Sequence, residues 1–131
     1  MTIANPTLAR NALIVDATLS AAAGVAMAAG SAFIAPLTAL PQQLLLWAGL
    51  GLLPWAAFLY WAARNASGSS SVMTEVILIN TVWVIASFGI MAGAMVSPNL
   101  LGVAFVTVQA LAVAAITVVQ FASLRATPTN A

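Results

Sequence analysis

Four apolar runs, at residues 12–35, 43–63, 72–96 and 100–124, occupy most of this 131-residue chain. Each holds about 20 residues or more, and a helix rises about 1.5 Å per residue, so each can cross the roughly 30 Å hydrocarbon core of a bilayer. The connections are too short for a separate domain. Residues 37–42 and 97–99 form tight turns that make neighbouring spans antiparallel, and 65–71 is a polar, serine-rich loop. The expected fold is all-α: a single domain over 1–131, an antiparallel bundle of four transmembrane helices.

Charge identifies the solvent. Only 4% of the residues are charged, whereas a water-facing domain devotes about a quarter of its residues to charge. The lipid bilayer is therefore the first expected partner, and no nucleic-acid partner is expected because a basic surface is lacking. The chain has neither Cys nor His. That removes disulfides, thiolate or imidazole metal ligands and a Ser-His-Asp nucleophile, and no glycine-rich loop is placed to cradle phosphate. No metal and no cofactor are expected. Catalysis would have to rest on Asp16, Glu75 and three Arg, too few paired titratable groups for acid–base work, so an enzyme is not expected.

Arg10 precedes the first run, Arg64 follows the second and Arg125 follows the fourth. A chain passing back and forth puts all three on one side. The positive-inside rule then places both termini and the serine-rich loop in the cytoplasm, in a multi-pass protein of the bacterial inner membrane. The first run is too long for a signal peptide, and Asp16 interrupts it.

An ionisable residue within a span suggests function, because burying it costs about 2.5–3.5 kcal/mol on the insertion scale. Asp16 is that residue. Counted from residue 12 it lies only about 6 Å below the boundary, within reach of interfacial water or Arg10. Glu75 starts the third run, where a helix dipole or Arg64 accounts for it. Deeper lie uncharged polar side chains: Asn80 and Ser87 on one face of the third run, Gln109 and Gln120 on one face of the fourth. These faces should turn inward, leaving the Val106, Ala110, Ala114 and Val118 side apolar. Depth counting brings Asp16, Asn80, Thr117 and Gln120 into one layer and leaves Gln109 alone near the midplane.

The second run carries an aromatic stripe, Trp47, Trp55, Phe58 and Trp61, with Pro54 expected to kink the helix. Trp55, Phe58 and Trp83 could line an apolar ligand pocket. Gly24 and Ala28 in the first run, and Gly89 and Gly93 in the third, have the small-xxx-small spacing that lets helices approach closely.

The stretches Asn80-Thr-Val-Trp83-Val-Ile-Ala-Ser87, Val96-Ser-Pro98-Asn-Leu-Leu-Gly102-Val-Ala-Phe105 and Gln109-Ala-Leu-Ala-Val-Ala, with Leu13-Ile-Val-Asp16 and Gly49-Leu-Gly-Leu-Leu-Pro54, touch all four runs. Together they resemble a functionally uncharacterised group of small four-span bacterial inner-membrane proteins. The resemblance implies topology and no mechanism. Two function classes follow. The leading one is a non-catalytic packing or accessory subunit of a homo-oligomer or larger membrane complex, with a dry, mutually bonded interior. The alternative is a small transporter or lipophilic-ligand-binding protein using Asp16 as a proton- or cation-coupled group, which requires a cavity reaching that residue.

Overall fold

The computed structural model describes residues 3–93 and 96–125. It contains α1 (Pro6–Ala29), α2 (Ser31–Thr38), α3 (Gln42–Asn65), α4 (Ser70–Ala92) and α5 (Leu100–Arg125). All but α2 are long and apolar enough to span a membrane, and they pack together as an all-α bundle.

Helix α1 begins six residues before the apolar run. The Asn5 side chain accepts the Leu8 N–H at 3.0 Å, and Pro6 occupies the first turn, where its missing N–H costs nothing. Gly30 ends α1, donating its N–H to the Ala26 carbonyl at 2.8 Å; a Cβ there would sit 2.6 Å from that oxygen. The chain restarts at once as α2, which corrects both the single span at 12–35 and the turn at 37–42. Pro36 lies inside α2, and Ala39, at φ 57, terminates it in the left-handed region. At α4 the cap is the Ser69 hydroxyl, 3.3 Å from the Val72 N–H, rather than Glu75, which is exposed in the second turn. Helix α3 runs unbroken through Pro54.

Helix α1 packs chiefly on α3, and α5 packs on both α1 and α4, so the order around the bundle is α3, α1, α5, α4. The α1–α3 crossing is backbone against backbone. A Cβ on Gly49 would lie 2.6 Å from the Ala28 nitrogen and 2.9 Å from the Gly24 carbonyl oxygen. Gly24 and Ala28 thus pack against a residue the small-residue spacing had not singled out. Gly89 has nothing within 4 Å, and Gly93 serves as the C-cap of α4, its N–H 2.9 Å from the Gly89 carbonyl. Gly89 therefore mediates no helix contact within the chain.

Both ends are tied. At one end the Ile3 N–H bonds the Gly68 carbonyl at 2.9 Å and the Asn5 N–H bonds that of Ser123 at 3.2 Å. Ile3 is buried there with Leu59, Ala63, Met73 and Val76, closing α3 against α4 at this level. Arg10, Arg64, Glu75 and Arg125 are exposed on helix segments near this end. At the other, Asn99 works as a clasp: its N–H bonds the Thr38 carbonyl at 3.1 Å, its amide bonds that of Leu37 at 2.8 Å, and its Oδ1 caps Gly102 at 2.9 Å.

Candidate functional site

Asp16 lies ten residues into α1 and about 9 Å past Arg10, and it is 2% exposed. Helix α1 starts six residues before the apolar run, so Asp16 stands well past its first turns and inside the bundle. Arg10 is exposed, and the described partners of Asp16 are neutral. Its Oδ2 accepts the Asn80 amide at 2.7 Å and the Gln120 amide at 2.8 Å, while Oδ1 accepts the Ser20 hydroxyl at 3.3 Å. The Asn80 Nδ2 also donates to Gln120 Oε1 at 3.1 Å, closing a ring across α1, α4 and α5. These bonds satisfy a carboxyl group that would be costly to bury unbonded in an apolar bundle.

Of the four residues expected in this layer, Asp16, Asn80 and Gln120 meet and Thr117 does not. The Thr117 hydroxyl instead bonds the Val113 carbonyl of its own helix at 2.7 Å. Ser20 takes the place assigned to it. Its signal was its position one turn after Asp16.

Gln109 is not alone. Its Oε1 accepts the Trp83 indole N–H at 2.7 Å, and its Nε2 donates to the Ser87 hydroxyl at 3.1 Å and the Val106 carbonyl at 3.0 Å. The Ser87 hydroxyl donates in turn to the Trp83 carbonyl at 2.7 Å. Val106 and Ala110, expected on an outward apolar side, are buried. The interior takes small apolar residues as readily as polar ones, so polarity alone misplaced that face.

The fourth seam of the bundle, between α3 and α4, is open over its middle. A cavity of about 380 Å³ lies there, walled by Trp47, Gly51 and Trp55 from α3 and by Ile79, Asn80 and Trp83 from α4. Ser20 and Val113 form its floor. Trp47 stands at the rim, 66% exposed, its indole N–H on Gln43 Oε1 at 3.1 Å. A second cavity of about 170 Å³ reaches Asp16 and shares Ser20, Leu52, Trp83 and Val113 with the first. A third, of about 190 Å³, extends toward α2 past Met27 and Phe105, and Trp83 borders all three.

Trp55 and Trp83 thus face one cavity, as the expected pocket required, but Phe58 does not. It packs against the buried core and stacks between Trp55 and Trp61, with ring centroids 5.6 and 5.9 Å apart. Trp47 and Gly51 complete the wall instead.

The crevice offers acceptors. Asn80 Oδ1 accepts no hydrogen bond among the described residues, yet no buried side-chain polar atom among them lacks a partner. That oxygen therefore keeps some exposed surface, on a residue that is 3% exposed overall and lines the crevice. No family model, curated protein or solved structure matches the chain.

Proposed function

We propose that this chain is a non-catalytic, multi-pass protein of a bacterial inner membrane that binds a lipophilic ligand in the open α3–α4 seam. The observation that carries the reading is the cavity itself: about 380 Å³, rimmed by an exposed Trp47, with the polar Ser20 on its floor and Asn80 in its wall. Sites for small molecules are mostly apolar concavities with a few convergent polar groups, often between bundle helices. A subunit whose sole role is packing has no need of such a gap. Membership of the small four-span bacterial family, proposed on the sequence resemblance, is compatible with this role.

Gly51 makes the test clean, because nothing lies within 4 Å of where its Cβ would be. Gly51→Leu fills the crevice without a clash and raises helix propensity. It is expected to abolish binding of an apolar aromatic probe, 1-naphthylmethanol, while leaving the thermal midpoint unchanged or higher. Full binding by this variant would overturn the reading.

The orientation rests on the exposed arginines gathered at one end. A chain without Cys permits labelling on a silent background. In intact cells an impermeant maleimide is expected to modify Ser97→Cys and spare Ser71→Cys; the reverse pattern would invert the topology.

One observation favours the accessory-subunit reading as a second role. Leu78, Val82, Ile85 and Gly89 form an exposed stripe on α4, with open space beside Gly89. Close packing of a second helix on that stripe would appear as a stoichiometric partner in the native mass.

A further inference from the structure

At the inner end of the α3–α4 crevice and in the smaller cavity adjoining it, the groups that Asn80, Ser20 and Asp16 leave unbonded are acceptors. Both protons of the Asn80 amide are committed, to Asp16 and to Gln120, and the Ser20 hydroxyl proton points to Asp16. What remains is the Asn80 Oδ1 and the Asp16 Oδ1, whose one bond, at 3.3 Å, is long for O–H···O. No positive charge offsets the carboxylate, since all three arginines are exposed near one end of the bundle. Trp55 and Trp83 line the walls, and an indole ring attracts a cation placed over its face.

We propose that the ligand of this crevice is a small lipophilic ammonium. It enters sideways from the bilayer past Trp47, donates N–H groups to Asn80 Oδ1 and Asp16 Oδ1, and leaves its apolar body among the tryptophans. The proposal rests on the reading of the seam as a ligand site and adds the ligand's charge. Charge complementarity selects this occupant. An anion would meet an uncompensated carboxylate. The ammonium displaces only the long Ser20 bond and leaves both amide bonds to Oδ2 intact. The cavity reaching Asp16 adjoins the crevice through Ser20, Leu52 and Trp83, so the nitrogen can approach while the ring system stays outside.

Equilibrium binding of 1-naphthylmethylammonium and its neutral isostere 1-naphthylmethanol, in maltoside micelles free of charged lipid, tests the assignment. The intact protein should bind the ammonium roughly tenfold or more tightly than the alcohol, the margin of one charge-assisted hydrogen bond. Asp16→Asn should bring the affinities for the two compounds within about twofold of each other, with a cooperative thermal transition in the same micelles reporting that the variant is folded. Asp16→Glu, which keeps the charge, should retain the preference. Equal affinities in the intact protein, or a preference that survives Asp16→Asn, would overturn the ammonium assignment while the seam remains a ligand site. Failure of the intact protein to bind either compound would overturn the seam as a ligand site and this inference with it.

Discussion

Gly49→Leu is expected to separate α1 from α3 and to be strongly destabilising. The added side chain has nowhere to go. Even a Cβ would press on the Ala28 nitrogen and the Gly24 carbonyl oxygen, which are main-chain atoms of a helix and cannot rotate aside. Overpacking against mobile side chains costs about 1–3 kcal/mol, and against backbone the cost exceeds that range. A fall of roughly 10 °C or more in the thermal midpoint in micelles is the expected result. Two residues on, Gly51→Leu should be silent in the same assay, because Gly51 faces the open seam. Equal midpoints for the two variants would mean that α1 and α3 do not cross at Gly49.

The second large effect is expected at Asn80. Asn80→Leu removes a donor to Asp16 and one to Gln120 at once, leaving a 2%-exposed carboxylate with one amide and a long hydroxyl contact. Losing one of the two amide bonds to a buried carboxylate costs about 1.5–3 kcal/mol. Adding Asp16→Leu takes that carboxylate away. The double variant should therefore be more stable than Asn80→Leu alone, a strongly non-additive outcome. Additive losses in thermal unfolding would show that the two side chains do not form one bonded unit.

Much of this architecture is legible in the residues, and the gaps have physical causes. Span number follows from length against bilayer thickness, so four long helices were readable. Helix α2 was not, because the apolar run continues unbroken through Gly30 and hydropathy does not register a change of direction. The start of α1 lies in Asn5-Pro6, a capping signal within a polar stretch that a search for apolar runs passes over. Counting depth along antiparallel helices places Asn80 and Gln120 at one level, since backbone rise is invariant. It cannot say which hydroxyl turns outward to its own helix, as Thr117 does, and which turns inward, as Ser20 does. The open seam was hidden for a related reason. Which pair of helices stays apart depends on how α1 and α5 dock, and that is decided at Gly24 and Gly49 and at the Asn99 clasp rather than by the aromatic stripe.

The central claim is that the α3–α4 seam, and no other face of the bundle, holds a lipophilic ligand. Photolabelling with 1-azidonaphthalene, followed by peptide mass mapping, addresses it most directly. The account predicts adducts concentrated on Trp47, Trp55, Ile79 and Trp83, and their loss in Gly51→Leu. Labelling spread evenly over the exposed residues Val108, Leu111 and Val118 of α5, and unchanged in that variant, would contradict it.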